Sequence, residues 1–177
     1  MDFLYQDPYP ILKDDTQYKK LTSDYVKVEQ LGDREILVVD PKGLELLAQE
    51  AMDDVSFMLR SAHLQKLRNI IEDPEATDND RFVAYNLLQN AAVAVEGQLP
   101  SCQDTGTAIV VAKKGENVYT GVEDGEWLSK GIYNTYQNKN LRYSQIVPIS
   151  KKKTQVQIFL LKLIFMRKKE VRMSSYF

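Results

Sequence analysis

The sequence predicts an α+β protein in which helices pack on a small sheet, followed by an irregular basic tail. Three patterns carry this reading. Apolar residues recur at three and four over 44–59, 64–71 and 82–95, β-rich runs flank a Leu-Gly-Asp turn within 25–39, and a strand-like run at 107–112 begins just after the last of these helical stripes. At 177 residues the chain can bury one respectable core, so one folded body is the expectation. We divide the chain into an extended arm (1–24), the body (25–150) and a tail (151–177).

The formal charge of -2 hides an asymmetry. The tail carries eight Lys or Arg against Glu170 alone, which leaves residues 1–150 acidic, with fifteen basic and twenty-four acidic side chains. No basic, aromatic-interleaved stripe marks a nucleic-acid surface in the body. The longest apolar run, 158–166, is interrupted by Lys162 and is far shorter than the ~20 residues a membrane helix needs, so no span is expected. The N-terminus lacks a positive start followed by an apolar core, and one cysteine cannot form an internal disulfide; both features point to a reducing cytoplasm.

The elements follow in order. Residues 1–24, rich in Tyr, Pro, Asp and Lys, show no sustained period. Tyr25 to Glu29 and Glu35 to Val39 form an antiparallel hairpin. Asp40 caps a helix with Pro41 at its first position, and Leu44, Leu47, Ala48, Ala51, Val55, Met58 and Leu59 form its inward stripe. A further helix turns Leu64, Leu67, Ile70 and Ile71 inward, with His63 near its start; no second ligand lies at helical spacing from that histidine, so a structural role is the expectation. Asp73-Pro74 ends this helix. Thr77 or Asp78 then caps a third, with inward face Phe82, Tyr85, Leu88, Ala91, Ala92 and Val95, terminated by Gly97. After the strand 107–112, the turn residues 113–117 lead to Val118–Gly121, expected to pair back as a short strand. A last helix from Glu126 to Gln137 carries Trp127, Leu128, Ile132, Tyr133 and Tyr136 as core.

Between the third helix and the strand lies the one stretch rich in chemistry, residues 98–110, with Cys102 at its centre. Pro100 turns Leu99 away from helix, Gly106 permits backbone angles closed to other residues, and Ser101, Gln103, Asp104, Thr105 and Thr107 place hydrogen-bonding groups around the thiol. A lone cysteine is commonly a small buried hydrophobe. A nucleophile needs a base, and His63 is distant in sequence; a metal needs more ligands than one thiolate. From spacing alone the stretch marks a site without naming its chemistry.

Leu-Pro-Ser-Cys-Gln-Asp-Thr-Gly-Thr-Ala-Ile-Val (99–110) closely resembles the N-terminal cluster-binding segment of the class I fumarate hydratases, iron-sulfur hydro-lyases that include the tartrate dehydratases. The likeness runs over residues 6–150, through QDPYPILKDDTQYKKLTSDYV, SFMLRSAHL, DPEATDNDRFVA and GIYNTYQNKNLRYSQIVP. It implies a helix break near Ser61, where the family often has proline. It also implies that Cys102 is the first of three thiolate ligands to a 4Fe-4S cluster, whose remaining open iron acts as a Lewis acid on a dicarboxylate substrate. Gln103 and Asp104 match residues that approach the substrate, with Asp104 orienting water or hydroxyl. Arg142 matches an arginine whose planar fork grips a carboxylate. The implied reaction is reversible hydration of fumarate to L-malate, with tartrate dehydration as the alternative. The other two cysteine ligands belong to family segments downstream of 150, so the resemblance implies the truncated N-terminal part of an enzyme that is homodimeric or paired with a separate β subunit, with a non-catalytic fragment as the alternative.

Residues 153–177 lack Gly, Pro, Asp and Asn, reverse the charge of the body and show no resemblance to that family, so they read as a non-family tail. The resembling family continues with a segment close to NTGTNLPAQIDIY. Codons can be chosen for Lys153 to Ile158 (AAA-ACA-CAG-GTA-CAA-ATC) that, read from the third base, spell Asn-Thr-Gly-Thr-Asn. Lys162 to Met166, written AAA-TTG-ATA-TTT-ATG after a preceding C, can in the same offset spell Gln-Ile-Asp-Ile-Tyr. The tail is therefore expected to be an out-of-frame translation, and the gene sequence through codon 150 decides this.

Overall fold

The computed structural model describes residues 3, 4, 6, 18–101 and 108–142, together with the backbone of 162–168 and 173–176. The hairpin forms as expected: β1 (Val26–Leu31) pairs antiparallel with β2 (Arg34–Val39), Val26 opposite Val39 and Leu31 opposite Arg34. Gly32 takes the left-handed backbone angle that this tight turn requires. The hairpin's end is fastened to the first helix, because the Asp40 N–H donates to the Tyr25 carbonyl at 2.9 Å. The Asp40 carboxylate in turn accepts from the Lys42 N–H at 2.8 Å and caps α1 (Pro41–Phe57).

After α1 the chain breaks at Met58 and restarts as α2 (Ser61–Glu72), so the expected break falls just before Ser61. Thr77 caps α3 (Asp78–Ala94) through a capping box in which Asp80 accepts from the Thr77 hydroxyl and backbone N–H. These bonds favour the ionised form and hold the Asp80 carboxyl below its ordinary value. Gly97 follows the helix end with φ of 76°.

The strand after the Cys102 stretch is β3 (Ile109–Gly115), somewhat later than the expected 107–112. It is the centre of a second sheet, with β5 (Lys162–Lys168) parallel on one side and β6 (Met173–Tyr176) antiparallel on the other. Within the segment expected to be irregular, these two strands are the part the structure describes. The short strand β4 (Val118–Tyr119) does not fold back on β3. It joins β2 in parallel, as the Leu37 N–H donates to the Asn117 carbonyl at 2.8 Å, and completes the first sheet in the order β1-β2-β4.

The core is built where α4 (Asp124–Asn138) lies on α1 and β3. Leu44, Ala48 and Phe57 of α1, Val110 of β3, Leu128, Ile132 and Tyr136 of α4, and Leu141 form one buried cluster, with Met52, Ala108 and Trp127 packed against it. Leu44, Ala48, Met52 and Ser56 follow a spacing of four, so α1 presents a narrower buried line than the expected stripe; Val55 and Met58 are exposed. Tyr133, expected in the core, also faces out. The larger departure is α3. It packs on α2, with Ala84 buried and Leu88 and Ala91 half-buried, whereas Phe82, Tyr85, Ala92 and Val95 of the expected inward face are exposed.

A buried polar knot joins β3 to α4. The Lys114 ammonium donates to Asp124 Oδ2 at 2.7 Å and to Thr120 Oγ1 at 2.9 Å, and the Thr120 hydroxyl donates to the other Asp124 oxygen. Asp124 is buried in the first turn of α4, where its charge also suits the helix N-terminus. Asp124→Ala leaves Lys114 and Thr120 without their acceptor and is expected to cost about 3 kcal/mol, the low end for a broken buried pair because Lys114 is partly exposed. Urea denaturation measures it; a loss under about 0.5 kcal/mol, the size of an ordinary surface change, would mean the knot is not structural.

Candidate functional site

Cys102, Gln103 and Asp104 lie outside the described residues, so the site is defined by what holds the two ends of its loop. On the near side, Ser101 is buried, and both its N–H and its hydroxyl donate to the Ser56 carbonyl, at 2.8 and 2.9 Å. That carbonyl belongs to the last turn of α1, where helical acceptors lack intrahelical partners. The Ser56 hydroxyl, itself buried, donates back to the Met52 carbonyl at 2.6 Å. On the far side Ala108 packs on the core and Val110 is inside it. The residue before Cys102 and the strand after its loop are thus fixed to one rigid body.

Arg142 is described and exposed. Its position is set by the way α4 ends. Asn140 takes φ of 50°, and the Leu141 N–H reaches back to the Tyr136 carbonyl at 3.0 Å, closing a Schellman-type turn in which Leu141 is buried. Asparagine tolerates the left-handed angle better than most residues other than glycine. Lys139 pairs with Asp53 at 3.1 Å and lies 5.4 Å from the Phe57 ring, so the chain leading to Arg142 is tied to the last turns of α1 as well.

The segments before Cys102 and before Arg142 therefore converge on the C-terminal end of one helix, one through Ser56, the other through Asp53 and Phe57. The anchors at Ser56, Lys139 and Leu141 were not singled out from sequence. The pattern Asn138-Lys139-Asn140-Leu141 does contain the turn signal, an asparagine just past a helical stripe followed by an apolar residue. Ser56 offered no such signal, because a serine on a helix is ordinarily solvent-facing. His63 is exposed in the first turn of α2, and no group of three or more His, Cys, Asp or Glu side chains suited to a metal is found among the described residues. With one cysteine in the sequence, this chain supplies at most one thiolate, and that does not suffice for a cluster held by several. No helix among the described residues is long and apolar enough to cross a membrane.

The sequence model for the family described as Fumarate hydratase (Fumerase) matches residues 45–175. This match runs on through most of the 151–177 segment. The chain is 56% identical to the anaerobic class I fumarate hydratase of Escherichia coli (strain K12) over 143 residues, 81% of this chain and 26% of that protein. It is 53% identical to the aerobic class I fumarate hydratase of the same strain over 147 residues, 83% of this chain and 27% of that protein. Against the mitochondrial fumarate hydratase 1 of Leishmania major the identity is 51% over 138 residues, 77% of this chain and 25% of that protein. The chain spans about a quarter of the length of the curated relatives it matches.

Proposed function

Because the chain belongs to the class I fumarate hydratase family, we propose that it forms the opening part of a hydro-lyase that adds water reversibly across the double bond of fumarate. The oxygen of water bonds to one alkene carbon and a proton to the other, giving L-malate with nothing oxidised or reduced overall. Arg142 holds one substrate carboxylate through paired N–H donors. Asp104 accepts a hydrogen bond from the water or hydroxyl, Gln103 lines the same space, and Cys102 contributes one thiolate ligand toward an iron-sulfur cluster. The observation that carries this reading is the convergence of the Cys102 and Arg142 segments on the end of α1, since both must reach one small dicarboxylate.

The remaining ligands come from polypeptide beyond this chain's own thiol, whether a longer chain or a separately encoded subunit, and the assembly is cytoplasmic. The 177-residue chain alone is therefore expected neither to build a stable four-iron cluster nor to hydrate fumarate. Anaerobic incubation with iron and sulfide, followed by absorbance and malate-fumarate assays, tests this. A full cluster spectrum with turnover from the isolated chain would contradict the ligand assignment.

A further inference from the structure

Four of the described residues take a positive φ, and three of them are glycine: Gly32, Gly97 and Gly121. The fourth is Asn140, at 50°, two positions before Arg142. Glycine has no Cβ and enters this region freely, whereas any other residue there must be held by its surroundings. Asn140 is held from both sides. Before it, the Lys139 N–H donates to the Thr135 carbonyl at 2.9 Å, and the Lys139 ammonium pairs with Asp53 at 3.1 Å. After it, the Leu141 N–H donates to the Tyr136 carbonyl at 3.0 Å, and Leu141 is buried in the cluster that contains Phe57 and Tyr136. We propose that Asn140 is a positioning residue, whose left-handed backbone angle turns the chain off the axis of α4 and so directs Arg142 toward the substrate. The inference rests on the reading of Arg142 as the group that binds a substrate carboxylate.

Helical angles at position 140 would instead continue α4, carrying each further residue about 100° around its axis and about 1.5 Å along it. Leu141 would then leave its place in the cluster. Arg142 would be displaced from the C-terminal end of α1, on which the Cys102 segment also converges. A planar guanidinium that binds a carboxylate through two parallel N–H donors is sensitive to such a change, because both bonds depend on its direction of approach. What the turn requires of position 140 is a backbone angle and not an amide. A side chain in contact with substrate would need the amide itself, whereas a residue that acts through φ can be replaced by glycine, which takes the same angle without strain.

The test uses the anaerobic class I fumarate hydratase of Escherichia coli with residues 1–142 of this chain in place of its matching segment. Asn140→Val, whose β-branched side chain opposes positive φ, is expected to raise KM for fumarate about tenfold with kcat within about threefold of the parent. Asn140→Gly is expected to keep KM within about threefold of the parent. In an Arg142→Ala background, Asn140→Val should add nothing to KM, because it acts through the side chain already removed. Where turnover is too slow, calorimetric binding of succinate completes the same cycle. The proposal is overturned if Asn140→Val leaves KM unchanged, if Asn140→Gly is as harmful as Asn140→Val, or if the effects of Asn140→Val and Arg142→Ala multiply. Each of these leaves the reading of Arg142 standing, whereas an unchanged KM in Arg142→Ala overturns both. The 177-residue chain gives a readout free of turnover, from spin labels on Asp54→Cys, an exposed position of α1, and Arg142→Cys in a Cys102→Ser background. One narrow distance distribution is expected, retained in Asn140→Gly and shifted or broadened in Asn140→Val. A distribution that Asn140→Val leaves unchanged would overturn the proposal.

Discussion

Gly131→Ala is expected to destabilise the body by about 3 kcal/mol, although it adds a single methyl group. A Cβ at this position would stand 2.2 Å from the Glu45 carbonyl oxygen and 2.8 Å from the Ala48 Cβ. The first obstacle is helix backbone, which cannot rotate aside, so α4 must lift away from α1. That movement strains the ties that run beside the glycine: Lys130 to Glu45 at 2.8 Å, Asn134 Nδ2 to Glu45 at 2.8 Å, and the Thr135 hydroxyl to the Gln49 carbonyl at 3.1 Å. It also opens the cluster around Ala48 and Ile132. Alanine is the better helix former by about 1 kcal/mol, which opposes the effect without cancelling it. Urea denaturation should show a lower midpoint with an unchanged slope. A midpoint equal to or above the parent's would show that the two helices do not meet this closely.

The parts of the fold legible in the sequence are those specified locally. Asp40-Pro41, Thr77 as one of the two expected caps, and the Leu31-Gly32-Asp33 turn each carry their own geometry, and all three are found where expected. What periodicity could not supply is the identity of the covering partner. The stripe Phe82, Tyr85, Leu88 is as regular as that of α4, yet Phe82 and Tyr85 are exposed while Ala84, on another face of the helix, is buried. A single sequence shows that a face is apolar and not what covers it. The same limit applies to β4, where two residues fit the edge of β2 as well as that of β3.

For the candidate site, the loop 98–110 stood out through Cys102 and its polar neighbours, while its attachment did not. Ser56 and Ser101 are forty-five positions apart, and a hydroxyl that caps a distant helix end leaves no periodic trace. Gly131 is a similar case. In the sequence it is one glycine in a helical run, where it would ordinarily weaken the helix, and only the Glu45 carbonyl beside it, which leaves no room for a Cβ, explains it.

The chemistry is tested most directly by a chimera in which residues 1–142 of this chain replace the matching segment of the anaerobic class I fumarate hydratase of Escherichia coli, a relative 56% identical to it. The rest of that protein then supplies everything this chain lacks, so the assay reports on these residues alone. The account predicts a chimera that binds iron and hydrates fumarate. It also predicts that Cys102→Ser abolishes both cluster absorbance and turnover, because a hydroxyl is a poor replacement for a soft thiolate on iron. A folded chimera that is inactive, or one whose cluster and turnover survive Cys102→Ser, would contradict it.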